Sequence, residues 1–74
     1  MNKSQIHARL IERGSNFERF ALQHGYESRA VRHAVERWAG SQRFPNGRLT
    51  FRILKDLSTA IGAEIIPGIF DEAA

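Results

Sequence analysis

Cysteine is absent from this 74-residue chain, which excludes disulfides, thiolate metal sites and a cysteine nucleophile. No apolar run approaches the ~20 residues that a membrane helix needs. The opening residues, MNKSQIHARLIERG, lack the apolar stretch of a secretory signal. A soluble, cytoplasmic protein without membrane association is expected. No segment alternates apolar and polar residues as a half-buried strand does. Repeats, linkers and low-complexity tracts are missing as well. No serine or threonine sits in a nucleophile motif, no glycine-rich loop suits a nucleotide, and no paired carboxylates suggest acid–base work. The histidines His7, His24 and His33 do not form a metal set, because no acid is placed as a third ligand on the face of His24 and His33. Neither catalysis, metal nor cofactor is therefore expected.

What the chain does have is basic charge, unevenly spread. The net charge is +3. Between Arg29 and Arg52 stand Arg29, Arg32, Arg37, Arg43, Arg48 and Arg52 against one acid, Glu36. The last residues carry Glu64, Asp71 and Glu72 and no base. Arginine dominates over lysine, and its planar fork of donors suits phosphates and guanine edges. Hydrophobic residues at 42% and charged residues at 26% place the chain among globular proteins rather than disordered ones. Its length allows one domain, residues 1–74, that buries only ~60% of its unfolded surface.

Periodicity and glycine punctuation predict four helices. The first spans about Gln5 to Arg13, capped by Ser4, with Ile6 and Leu10 four apart and Gly14 as its stop. The second spans about Asn16 to His24, opened by a Ser15/Glu18 capping box and ended by Gly25. Its apolar face is Phe17, Phe20, Ala21 and His24. The third spans about Arg29 to Ala39, capped by Ser28, with Val31, Ala34, Val35 and Trp38 facing inward. A looser stretch around Pro45, Asn46 and Gly47 then turns the chain. The fourth spans about Phe51 to Ile61, capped by Thr50, with Ile53, Leu54, Leu57 and Ile61 toward the core. The tail, residues 63–74, carries Ile65, Ile66, Ile69 and Phe70 around Pro67 and Gly68. It is expected either to fold back or to cover a partner, a second copy of the chain included. Glu12/Arg13 and Lys55/Asp56 read as solvated charges, and Trp38 as core.

The connection between the second and third helices is the informative feature. A short turn, Gly25, Tyr26 and Glu27, joins two amphipathic helices, and such a turn makes the second cross the first steeply. Ala21, Gly25 and Val31 fall at relative positions 5, 9 and 15 of the unit FERFALQHGYESRAVRHAVE. That is the helix-turn-helix spacing: a small residue at the crossing, a residue free to be left-handed at the corner, and an apolar one that closes the pair. Phe17 departs from the pattern where a polar residue often reaches a phosphate, and His24 departs where an aliphatic residue is usual.

The outward face of the third helix would then carry Arg29, Arg32, His33, Glu36 and Arg37, donors suited to a major groove ~12 Å wide. Glu27, Ser28, Arg29, Arg32 and His33 are the expected base-reading residues. Glu27 either accepts from cytosine N4 or orients a neighbouring arginine. Asn16, Arg37, Arg43 and Arg48 are the expected phosphate contacts. Lys3 and Arg9 rank below them.

The segment IHARLIERGSNFERFALQHGYESRAVRHAVERWAG, followed by RFPNGRLTFRILKDLSTAIG, resembles small phage-associated proteins of Mu-like prophages. These are distantly similar to the Ner-type repressors of transposable phages. The likeness rests on the RG after the first helix, HGY at the turn, RWAG at the end of the third helix, and PNGRL ahead of an I-L-x-x-L helix. It implies an all-α, compact four- to five-helix lambda-repressor-like helix-turn-helix domain. It also implies a double-stranded DNA-binding transcriptional regulator of phage type. The competing expectation is a helical protein–protein interaction module, an accessory or anti-repressor, that uses the apolar tail and does not touch DNA. A homodimer through Ile65–Phe70 fits either expectation.

Overall fold

The four periodic segments form four α-helices in the computed structural model, which describes residues 1–71. Glu72, Ala73 and Ala74, the acidic end of the expected tail, lie outside the described residues. The helices are α1 (Lys3–Glu12), α2 (Phe17–His24), α3 (Ser28–Trp38) and α4 (Arg48–Ile61), followed by a 3-10 turn at Ile69–Asp71. No strand occurs among the described residues, so the domain is all-α, as expected.

The helix interiors fall where the apolar spacing places them, but the N-termini differ. Ser4 lies inside α1. The cap is Asn2, whose Oδ1 accepts from the Gln5 N–H at 2.9 Å while Gln5 Oε1 accepts from the Asn2 N–H at 2.9 Å. An N-x-x-Q box satisfies the same two orphan donors as the serine–glutamate form, and it starts the helix two residues earlier. Asn16, not Ser15, caps α2, accepting from the Arg19 N–H at 2.8 Å. Ser28 is the first helical residue of α3 rather than its cap, and Glu27 precedes it without a side-chain capping bond. α4 begins at Arg48, which leaves Thr50 within the helix.

Ile6, Leu10, Phe17, Phe20, Ala21, Val31, Ala34, Val35, Ile53, Leu54, Leu57 and Ile61 meet in one buried cluster. Trp38 and Tyr26 pack at its edge, part-buried. The α2–α3 corner forms as the spacing requires. Gly25 has φ 76°, and the Tyr26 N–H reaches back to the Ala21 carbonyl at 2.8 Å, closing the end of α2. A Cβ at position 25 would meet nothing within 4 Å, so backbone conformation and not crowding demands glycine there. Ala21 itself is 1% exposed.

The tail folds back. Ile65, Ile66 and Ile69 belong to the same cluster, none more than 1% exposed, whereas Phe70 is 43% exposed. Of the two roles the sequence allows these isoleucines, they take the first: they are buried within their own chain. Each is worth about 1.5–3 kcal/mol on burial. Three such residues matter against the ~5–15 kcal/mol of net stability typical of a domain. Ser58 fastens the tail to α4. Its buried Oγ donates to the Leu54 carbonyl at 2.8 Å and accepts from the Ile65 N–H at 3.0 Å.

Candidate nucleic-acid interface

A helix turns about 100° per residue, so Val31, Ala34, Val35 and Trp38 lie opposite Arg29, Arg32, His33 and Glu36 on α3. The structure follows that division. Val31 and Val35 are 0% exposed, Ala34 is 4% exposed, and all four polar residues face solvent. Ser28, Arg29, Arg32, His33 and Glu36 line one shallow hollow along this face. Four of the five expected base-reading residues are thereby brought together. The fifth, Glu27, is exposed and immediately precedes them.

Arg29 and Arg32 take no part in the ion pairs among the described residues, so their guanidinium groups remain available to an external anion. Glu36 does have a partner. Its carboxylate accepts from Lys3 Nζ at 2.8 Å, a bridge from α3 to the first turn of α1. That hydrogen bond and the lysine charge hold the Glu36 carboxyl below the ordinary range, with His33 and Arg32 adding to the effect. The acid in the middle of this basic face is therefore matched by a cation from another helix.

The corner that carries α3 is pinned from behind. Tyr26 OH donates to Asp56 Oδ2 at 2.6 Å, and His24 Nδ1 lies 3.6 Å from the same oxygen. The His24 ring packs on Phe20 with centroids 4.4 Å apart. Burial, then the bond to Asp56 and its charge, push the Tyr26 phenol up to about 12, while Arg52 pulls it back somewhat. The sequence alone reads Asp56 as an ordinary solvated charge. It instead ties α4 to the α2–α3 corner and so helps to set the direction of α3.

The expected phosphate contacts are more dispersed. Asn16 caps α2 and lines a hollow with Arg19, Leu22, Tyr26 and Ser28, which sets it next to the start of α3. Arg37 sits at the edge of the α3 face, its guanidinium carbon 5.8 Å from the centre of the Trp38 ring. Arg43 and Arg48 are exposed on the segment between α3 and α4 and at the start of α4. No ion pair among the described residues engages either one.

The first turn of α1 lies beside the α3 face. Lys3, Ser4 and His7 share a hollow with Phe17, Arg32 and Glu36. The local signal was one lysine and one histidine, and only tertiary packing brings them beside α3. Among the described residues, no group of three or more His, Cys, Asp or Glu is arranged to hold a metal ion. No helix among them is long and apolar enough to cross a membrane. Comparisons with family models, with curated proteins and with solved structures find no match to this chain.

Proposed function

We propose that the chain is a double-stranded DNA-binding transcriptional regulator of phage type that acts in the cytoplasm and inserts α3 into the major groove. One observation carries this: Arg29, Arg32 and His33 stand together on the solvent face of α3, opposite the buried Val31, Ala34 and Val35. A groove-reading helix needs that division, with donors projecting from its first turns. Arg29 and Arg32 are suited to O6 and N7 of guanine, with Glu27, Ser28 and His33 beside them. Asn16, Arg37, Arg43 and Arg48 serve the flanking backbone, which fixes register without reading sequence. The competing interaction-module reading relies on the apolar tail, whose Ile65, Ile66 and Ile69 are buried in their own chain, while Phe70 is 43% exposed. A single module of this kind covers only ~600–1,000 Å² of surface on DNA, so selective binding calls for more than one copy on adjacent sites.

The test is selection from a pool of random duplexes at two salt concentrations, followed by affinities for the winning site. The expected result is a selected sequence, with Arg29→Ala costing ~1–3 kcal/mol on that site and relaxing one position. Arg48→Ala should instead weaken all duplexes alike and reduce the salt slope by ~1. Binding that is equal on all duplexes and set by salt alone would reduce the chain to a general polycation.

A further inference from the structure

We propose that Lys3, Ser4 and His7 of α1 form a second binding site beside the α3 face, one that holds a phosphodiester of the DNA backbone. The proposal rests on the DNA-binding reading and adds an element that neither the helix-turn-helix spacing nor the resemblance supplies. Two hollows meet at Arg32 and Glu36. One runs along α3 with Ser28, Arg29 and His33; the other opens toward α1 with Lys3, Ser4, His7 and Phe17. Arg32 and Glu36 form the ridge between them, so a duplex whose groove receives α3 lays a backbone strand across the α1 side.

The side chains there are phosphate donors. Residues 3, 4 and 7 lie on one face of the first turns of a helix. Lys3 has three N–H donors and gives one to Glu36. Ser4 adds a hydroxyl. The His7 ring is stacked on Phe17, with centroids 5.4 Å apart and planes 15° from parallel, which fixes an exposed imidazole at the rim. The backbone N–H groups of the helix end play no part in the argument, since the Asn2–Gln5 box already uses that terminus.

Glu36 explains why Lys3 is held there. An unpaired carboxylate on this ridge would repel phosphate. An exposed pair such as Lys3–Glu36, with side chains 47% and 51% accessible, contributes little to stability. Its effect is positional: it cancels the one acid and keeps an ammonium at the mouth of the hollow. Lys3 and Arg32 against the single Glu36 leave this side of α3 with a net positive charge.

The experiment measures binding of the whole chain to its selected duplex and to a random-sequence duplex over a range of salt. Lys3→Gln should weaken both duplexes by the same factor. It should also lower the slope of log K against log salt by about 0.9, the value for one phosphate contact on B-DNA. Ser4→Glu is the second variant. A carboxylate in the first turn favours the helix, so the unfolding curve should hold or improve while binding to both duplexes falls. Unchanged slope and affinity in Lys3→Gln and Ser4→Glu, with Arg29→Ala still impaired, would remove the hollow and leave the DNA reading standing. A loss confined to the selected duplex would make Lys3 a base reader and overturn the phosphate assignment. Absence of duplex binding by the unaltered chain would remove both.

Discussion

The chain has one tyrosine, so an alkaline absorbance titration reports Tyr26 and nothing else. Its phenol is pushed from 10 to about 12, first by burial, then by the hydrogen bond to Asp56 and the carboxylate charge. The 2.6 Å separation is that of an O–H donating to an ionised acceptor. A displacement of this size makes the phenol roughly a hundredfold weaker as an acid. Because the folded-state value lies above the unfolded one, the stability contributed by the neutral phenol is fully present below pH 10 and is lost as pH rises through about 12. Asp56→Asn keeps an acceptor but removes the charge, and Asp56→Ala removes both. The phenolate band should therefore grow at successively lower pH in the order unaltered chain, Asp56→Asn, Asp56→Ala, with burial alone supporting the last. Helical circular dichroism recorded on the same samples follows the fold. Identical titration midpoints in all three chains would show that Asp56 does not hold the corner, and the account of how α3 is aimed would fail with it.

Two further substitutions test the packing that presents α3. Ser58→Ala should lower stability by about 1–3 kcal/mol, because it leaves the buried Ile65 N–H without its acceptor. In a domain of this size the melting temperature should fall by roughly 4–8 °C for each kcal/mol, and an unchanged melting curve would contradict the role of Ser58 as tail fastener. Ala21→Leu should cost about 1–3 kcal/mol through overpacking at a residue only 1% exposed, read by urea unfolding, and a normal midpoint would contradict the close α2–α3 crossing.

The features legible in the sequence were those set by local chemistry and short spacing. The 3- and 4-residue spacing of Val31, Ala34, Val35 and Trp38 located the buried side of α3, and Ala21, Gly25 and Val31 located the corner. The same periodicity assigned Arg29, Arg32 and His33 to solvent, where they stand. Helix starts were less legible, because several short polar residues compete for each cap. Ser4 and Asn2, or Ser15 and Asn16, differ little in intrinsic capping preference, and the choice depends on which start best orients the apolar stripe.

What the sequence withheld lies in contacts between residues distant along the chain. Lys3 meets Glu36 across 33 positions and Tyr26 meets Asp56 across 30, and neither pair has a local signature. The tail was ambiguous for another reason. Ile65, Ile66 and Ile69 interrupted by Pro67 and Gly68 fit a self-covering lid and a dimer contact equally well on apolar content. The deciding group is Ser58, a polar residue within the apolar face of α4, whose hydroxyl is placed to receive the Ile65 N–H. That hydroxyl already donates to the Leu54 carbonyl, and the returning Ile65 N–H gives it a second hydrogen bond inside the core. With the tail used in this way, Ile65, Ile66 and Ile69 have no surface left for a partner, and of the tail's four large apolar residues Phe70, 43% exposed, alone keeps one.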